Sequence, residues 1–123
     1  MTMKAVRSDV VHLNELYDGC TNFVCPVCDS DYMHQREVII YDREEDEEFV
    51  SKTTVLRGLT ATHLVPNENS GNLSERRHGV AIVFDCEGCR HRPTLHIAQH
   101  KGVTLVFWTH STTDVIRDED RLF

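Results

Sequence analysis

Hydrophobic and polar residues alternate through much of the second half of the chain, a pattern typical of β-strands. The clearest segment is 78–85, in which apolar residues occupy both alternating sets of positions. Because both faces of such a strand are apolar, we predict that it lies in the centre of a sheet. These apolar positions are Val80, Ala81, Ile82, Val83 and Phe84.

A β-hairpin is predicted immediately after this strand. Alternation resumes beyond Pro93, stops at Lys101-Gly102 and then continues, so the lysine and glycine are the expected turn. The apolar positions are Leu95 and Ile97 before the turn, and Val103, Leu105 and Phe107 after it.

A second, acidic hairpin is predicted in the first half of the chain. The segment 36–41 is rich in β-branched residues and favours a strand, and 49–56, rich in Thr and Val, could pair with it. Between them the acids repel one another and are expected to form a solvated turn. This run contains Asp42, Glu44, Glu45, Asp46, Glu47 and Glu48.

The remaining segments carry weaker patterns. Val10, Leu13 and Tyr17 recur at helical spacing and favour a short N-terminal helix over 8–17, although Val10-Val11 could also begin a strand. The segment 58–77 is interpreted as an exposed insertion loop, and 111–123 as a polar, acidic tail. We therefore expect one domain over 1–123, of the α+β or mostly β class, with an antiparallel sheet of three or four strands.

Charge and composition narrow the choice of function. Acidic residues outnumber basic ones 20 to 13, giving a formal net charge of −7. Such a charge repels phosphate backbones at long range and argues against general nucleic-acid binding. The N-terminus has no apolar stretch of signal-peptide length and no later segment approaches a membrane span, so we expect a cytoplasmic protein without membrane contact.

Four of the five cysteines form two Cys-x-x-Cys pairs, and Cys20 is left over. Two residues between cysteines let one tight turn present both sulfurs to a single ion, and zinc accepts four thiolates in a tetrahedron. The sequence therefore predicts one structural zinc ion, with Gly88 supplying a positive φ in the second turn. Cys20 is interpreted as a small buried thiol. The predicted ligands are Cys25, Cys28, Cys86 and Cys89.

These pairs resemble the knuckles of zinc-ribbon proteins, which commonly read Cys-Pro-x-Cys followed by glycine. Cys25-Pro26-Val27-Cys28 follows that pattern, but Asp29 occupies the position of the glycine. The resemblance implies a zinc-ribbon domain with an antiparallel sheet.

The second half of the chain also resembles small proteins of actinobacterial phages and mobile elements. This likeness rests on Gly71-Asn72-Leu73-Ser74-Glu75-Arg76-Arg77-His78-Gly79, on Phe84-Asp85-Cys86-Glu87-Gly88-Cys89 and on Ile97-Ala98-Gln99-His100-Lys101-Gly102. Such proteins have no settled activity, so the resemblance implies an origin, with the host cytoplasm as the location, and no mechanism.

Two basic clusters leave an alternative open. Arg76-Arg77 precedes the central strand and Arg90-His91-Arg92 follows the second knuckle, so a cationic strip beside Trp108 could bind phosphates and stack a base. The competing interpretation is that these arginines pair with the acidic run or with the charge of the zinc site.

No enzymatic activity is predicted. A zinc ion closed by four cysteines lacks the open position of a catalytic metal, and the eight histidines form no recognisable ligand or proton-transfer pattern. We expect a zinc-stabilised module that binds another protein, a host protein if the chain is of phage origin. The acidic residues Glu44, Glu45, Asp46, Glu47 and Glu48 are the expected contact surface.

Overall fold

Nine β-strands make up the secondary structure of the described residues, which are 5–17 and 19–111 of a computed structural model. The strands are between 4 and 10 residues long. The strands are β1 (Ala5–Ser8), β2 (Leu13–Tyr17), β3 (Cys20–Phe23), β4 (Met33–Asp42), β5 (Phe49–Leu56), β6 (Leu59–Pro66), β7 (Gly79–Cys86), β8 (Thr94–His100) and β9 (Val103–Ser111).

Seven of these strands form one antiparallel sheet in the order β1-β9-β8-β7-β4-β5-β6. Two meanders, β4-β5-β6 and β7-β8-β9, are joined by the pairing of β4 with β7, and β1 adds a seventh strand beside β9. The strand predicted to be central, β7, occupies the middle position. A separate two-stranded sheet contains β2 and β3.

Both predicted hairpins are confirmed. β4 and β5 pair antiparallel around the acidic connection, with Asp42 opposite Ser51. β8 and β9 pair around Lys101-Gly102, whose φ angles are 48° and 80°. Two consecutive positive φ angles define the turn that matches the twist of paired strands.

One face of the sheet carries the aromatic core around Trp108, and we call it the tryptophan face. Ile82, Leu95 and Trp108 are register partners and therefore point to the same side. Phe84 packs edge-on against Trp108 with ring centroids 5.6 Å apart, and Phe23 does so at 6.0 Å. The β2–β3 hairpin thus covers this end of the face.

The other face, which we call the tyrosine face, has a core of Tyr41, Val50 and Ala81. The loop 67–78 covers it: Lys52 Nζ donates to the Ser70 carbonyl at 2.8 Å. A Cβ on the glycine at position 71 would lie 2.7 Å from the Tyr41 hydroxyl, so only glycine permits this approach.

The prediction of an α+β fold with an N-terminal helix is wrong. The described residues contain no helix, and the fold is mostly β. Val10, Leu13 and Tyr17 are all more than half exposed and so form no buried helical stripe. Residues 13–17 instead pair with β3 as a hairpin, and Asn14 and Asn22 from the two strands both donate to the Asp31 carboxylate. The helical spacing gave a wrong prediction because periodicity indicates a helix only when the apolar residues are buried, and these three are exposed.

Two further predictions are corrected by the sheet. Within 58–77, predicted as an exposed loop, residues 59–66 form β6, and Ser70, Asn72 and Ser74 are buried. Their polar side chains bond to backbone: Asn72 Nδ2 donates to the Arg77 carbonyl at 3.0 Å, and Ser74 Oγ accepts from the Gln99 amide at 3.0 Å. The sheet has seven strands and not three or four. Both predicted hairpins join β7 in one sheet, and β6 and β1 add one strand at each edge.

The predicted tail lies almost wholly outside the described residues. Of the predicted tail 111–123, only Ser111 is described, as the last residue of β9; the rest lies outside the described residues. In the described part of the chain there is no helix with the length and apolar character needed to cross a bilayer.

His96 makes the stability of this sheet depend on pH. The side chain is 8% exposed, stacks on Phe107 with ring centroids 5.2 Å apart, and its Nε2 lies 2.7 Å from Thr109 Oγ1. Burial, and secondly the nearby Arg7 charge, lowers the pKa of His96 from 6.5 to about 4. The imidazole therefore stays neutral in the folded state while it becomes protonated in the unfolded chain.

We predict that stability is lost as the pH falls from about 6.5 to about 4, where only the unfolded state binds the proton. The loss should reach about 3 kcal/mol in the free energy of unfolding. His96→Gln, which is neutral at every pH, should lack this component in urea denaturation. A lower metal affinity in acid would affect both proteins equally, so it cancels when their pH slopes are compared. Equal pH slopes for the two proteins would contradict the assignment.

Candidate metal centre

Pairing of β4 with β7 brings the two Cys-x-x-Cys turns together at one end of the sheet. The first knuckle lies just before β4, and Cys86 is the last residue of β7. Met33 and Cys86 are direct register partners. As a result, Cys28 and Cys86 have adjacent sulfurs although they are 58 positions apart in sequence.

The two knuckles have the same backbone hydrogen bonds. The Asp29 amide donates to the Cys25 carbonyl at 2.9 Å, and the Arg90 amide donates to the Cys86 carbonyl at 3.2 Å. In each knuckle the amide of the first cysteine also donates to the carbonyl five positions on, at 3.0 Å in the first knuckle and 3.1 Å in the second. The identical pattern shows that the two turns are structural repeats of one another.

The positive φ of each turn falls on the residue after its second cysteine. Asp29 has φ 64° and Arg90 has φ 65°. The prediction that Gly88 supplies this angle is therefore wrong. Asp29 occupies the position where zinc ribbons commonly have glycine, and aspartate is among the residues that tolerate the left-handed region best. The departure from the ribbon pattern thus leaves the turn intact.

Gly88 is needed for a different reason, which is the close approach of the knuckles. A Cβ at this position would lie 2.9 Å from Cys28 Sγ and 2.9 Å from Ser30 Cβ. Both contacts are shorter than carbon and sulfur atoms tolerate, so any larger residue would push the turns apart. The equivalent position in the first knuckle is Val27, whose side chain is 38% exposed and has no such constraint.

The four sulfurs have the spacing that a tetrahedral zinc site requires. Cys25 Sγ and Cys89 Sγ are 3.8 Å apart, Cys28 Sγ and Cys86 Sγ are 3.6 Å apart, and all four lie within 4.8 Å of one another. Zn–S bonds of about 2.3 Å place the sulfurs of a regular tetrahedron about 3.8 Å apart. Both short distances join one knuckle to the other, whereas a redox dithiol uses two sulfurs of one motif. The donor set therefore fits one metal ion.

The pKa values of Cys25, Cys86 and Cys89 are shifted in different directions. Burial raises the pKa of Cys25 well above its usual range, and burial likewise raises the pKa of Cys89 to about 11. Burial also acts on Cys86, but the amides of Cys89 and Gly88, together with the neighbouring thiols, outweigh it and lower the Cys86 pKa. Cys86 is thus more readily ionised than Cys25 and Cys89, from which a bound metal would have to displace protons.

A buried ion cluster holds the second knuckle in place. Asp85 is fully buried and accepts from Arg92 Nε at 2.8 Å and from Arg36 Nη1 at 3.4 Å. Since these residues come from β7, β4 and the segment after the knuckle, the cluster ties three parts of the chain together beside Cys86. On the surface, His34 Nε2 lies 2.7 Å from Glu87 Oε2 and links β4 to the knuckle itself.

Sequence reasoning missed Asp85 and Ser30 as supports of the site. A signal for Asp85 was present: it is a lone carboxylate at the end of a strand with apolar residues on both faces, where a charge requires partners. Ser30 gave no such signal, because its carbonyl accepts a hydrogen bond from the Cys25 amide and its side chain packs against the second knuckle.

The basic strip proposed as a nucleic-acid surface is not assembled. Arg76 precedes the start of β7 and Arg92 follows its end, which places them about 20 Å or more apart along an eight-residue strand. Trp108 is fully buried, so it has no free face on which a base could stack. Arg76 pairs with Asp46, and Arg92 pairs with Asp85. Arg77 lies beside Arg76, and Arg90 lies beside the second knuckle.

The acidic tip, which we define as Glu44, Glu45, Asp46, Glu47 and Glu48, forms the connection between β4 and β5, and all five residues are exposed. Arg76 Nε donates to Asp46 Oδ1 at 2.9 Å, and the Asp46 amide donates to the Arg76 carbonyl at 2.9 Å. Hydrogen bonding from Arg76 lowers the pKa of Asp46. Arg43 Nε donates to the Glu47 carbonyl at 2.7 Å. The tip is therefore held through the Asp46 side chain, the Asp46 amide and the Glu47 carbonyl.

Comparison of the chain with protein-family models, with curated proteins and with solved structures gives no match. The fold and the arrangement of its cysteines are thus the basis for any functional conclusion. Geometrically, the cysteine cluster is consistent with a zinc ribbon.

Gly88→Ala should weaken metal binding, because the new methyl group would meet Cys28 Sγ and Ser30 at 2.9 Å. We expect at least a tenfold lower zinc affinity in competition with a chromophoric chelator, a change of about 1.4 kcal/mol or more. Val27→Ala is the matched control, since it places alanine at the same position of the first knuckle. Equal affinities of Gly88→Ala and Val27→Ala would show that close approach of the knuckles is unimportant.

Proposed function

We propose that the protein is a non-catalytic, zinc-stabilised module that binds another protein through its acidic tip. The metal part rests on the cysteine cluster, whose four sulfurs lie within 4.8 Å of one another. Cys25, Cys28, Cys86 and Cys89 would hold one structural zinc ion. When bound, the ion supplies four coordination bonds that link the first knuckle to the end of β7.

A closed set of four thiolates also supports the absence of an enzymatic role. Catalytic zinc keeps one position for water or substrate, whereas four cysteines fill the tetrahedron. The site's supports, Asp85 with its two arginines and Gly88, act on the position of the knuckles. The proposed role of the metal is therefore to hold the fold together.

The observation that carries the partner-binding proposal is the rigid acidic tip. Asp46 is held by Arg76, and the Glu47 carbonyl is held by Arg43. Glu44 and Glu48 remain exposed at a surface whose backbone is already ordered. A preordered cluster of one charge sign loses little entropy on binding and steers a partner of opposite sign. The proposed partner is a protein with a basic surface.

The proposed origin of the chain rests on the resemblance of its second half to proteins of actinobacterial phages and mobile elements. If the chain is encoded by an actinobacterial phage, the partner would be a host protein and the site of action the host cytoplasm. The nucleic-acid alternative has less support, because Trp108 is buried and two of its four arginines are paired with acids.

Removal of one ligand tests the metal. Cys86→Ser should lose the zinc ion and the cooperative thermal transition, since the ion closes a loop that spans 58 to 64 positions. Cys20→Ser is the control: Cys20 lies in β3, outside the cluster, so this variant should keep one zinc per chain and a nearly unchanged transition. Elemental analysis and circular dichroism give the readout. A Cys86→Ser protein as stable as its parent would contradict structural zinc.

Charge neutralisation tests the tip. Glu44→Gln with Glu48→Gln removes two exposed charges but keeps the contact of Asp46 with Arg76. Glu15→Gln with Glu37→Gln is the control, which changes the net charge equally at sites away from the tip. The wild-type and control proteins should capture the same nuclease-resistant protein from an actinobacterial lysate, and the tip variant should capture it at least tenfold less.

Capture by the wild type should also weaken as salt rises, because screening shortens the reach of the acidic charges. Equal capture by the tip variant would overturn the role of the acidic tip. Recovery of nucleic acid alone, lost after nuclease treatment, would favour the nucleic-acid alternative instead.

A further inference from the structure

The outer edge of the sheet at β6 is open along its whole length. β6 is the last strand in the order, and it pairs on one side only, with β5. Seven of its eight residues are exposed, the exception being the half-buried Val65. No other element of the described chain lies along this edge.

Turn geometry determines which backbone groups of β6 point outward. β5 and β6 are joined by the two-residue turn Arg57-Gly58, with φ angles of 52° and 79°. In such a hairpin the flanking pair Leu56/Leu59 is hydrogen-bonded, and hydrogen-bonded pairs then alternate with non-hydrogen-bonded ones.

By this alternation Thr60, Thr62 and Leu64 direct their N–H and C=O groups away from β5. A side-chain contact agrees with this assignment: Thr53 Oγ1 and Thr62 Oγ1 are 2.9 Å apart. Side chains approach closely in non-hydrogen-bonded pairs, which is the class that the turn assigns to Thr53/Thr62. At these three residues the open edge therefore offers three donors and three acceptors.

This edge lacks the features that normally prevent edge-to-edge pairing. The sequence Leu-Thr-Ala-Thr-His-Leu-Val-Pro contains no Lys, Arg, Asp or Glu, and β6 has no bulge in its register with β5. Its proline is the last residue of the strand and leaves the three outward N–H groups intact. By contrast, β1 at the opposite edge has only four residues and includes the charged Arg7.

We propose that two copies of the chain pair through their β6 edges in an antiparallel, two-fold arrangement centred on Thr62. In this register Thr62 of one copy faces Thr62 of the other, and Thr60 faces Leu64. All three outward N–H groups and all three outward C=O groups of each copy then have partners. Shifting the register by two residues would leave one residue of each copy unpaired, so the geometry selects this one.

Side chains and charges at the edge are complementary in the same register. Leu59, which is 77% exposed, comes opposite Val65 of the other copy, which continues the core around Tyr41. The exposed Arg57 of one copy comes opposite Asn67 of the other, the residue next to the exposed Glu68. A second copy carries a net charge of −7, and an edge strand without acidic residues is where two such chains approach with least repulsion.

Site-directed cross-linking tests both the pairing and its register. In a Cys20→Ser background with zinc bound, Thr62→Cys should form a disulfide-linked dimer on mild oxidation, since directly opposed Cα atoms lie about 5.5 Å apart. Thr60→Cys is the control: the two equivalent positions would be about 13 Å apart along the edge and should not cross-link. Cross-linking of Thr60→Cys to the same extent, or of neither variant, would overturn the register.

Sedimentation measures the pairing without cross-links. The wild type should approach twice the chain mass of 14.2 kDa as its concentration rises. Thr62→Pro, which removes an outward N–H, should stay monomeric, and Thr62→Ser should behave as the wild type. Both variants must keep wild-type circular dichroism and zinc content to be compared. A monomeric wild type at every concentration, or an unaffected Thr62→Pro dimer, would overturn the proposal, whether or not the acidic tip binds a partner.

Discussion

Pairing of β4 with β7 is the interaction on which the rest of this structure depends. It joins two meanders into one sheet, and its register, with Met33 opposite Cys86, places both knuckles at the same end. The approach is close enough that only glycine fits at position 88. A metal ion held by the four cysteines would act on this same junction, because it bonds the turn before β4 to the end of β7.

Several polar side chains are buried at the two ends of β7, the strand that forms this junction. Asp85 and its two arginines lie beside the second knuckle, and buried Asn72 and Ser74 secure the loop at the other end of β7. Each of these side chains makes at least one hydrogen bond, which lowers the cost of burying it. The central strand is thus fixed at both ends by polar contacts and along its length by apolar ones.

The surface that remains is divided between a charged end and a neutral edge. At the acidic tip, one arginine neutralises part of the charge and orders the turn, while the outer carboxylates stay in solvent. Along β6 the side chains are uncharged and the backbone is open. Electrostatic recognition suits the first surface and strand addition the second, so the two can operate at the same time.

Local patterns in the sequence were sufficient for much of this structure. The alternation in 78–85 predicted a central strand, the acids between two β-branched segments predicted a hairpin, and the two Cys-x-x-Cys pairs predicted a cysteine cluster. Each of these is a short-range signal, set by strand periodicity, by charge repulsion or by the reach of one turn.

Tertiary structure decided what depends on partners distant in sequence. Val10, Leu13 and Tyr17 have helical spacing, but Leu13 and Tyr17 lie in a strand because Phe23 and Cys20 of β3 pair opposite them. Trp108 became core and not a stacking surface once β2–β3 folded over it. Gly88 acts through a cysteine 60 positions away, since its role arises only when the knuckles meet. Periodicity within one segment contains no information about which segment will cover it, and this is why these features required the structure.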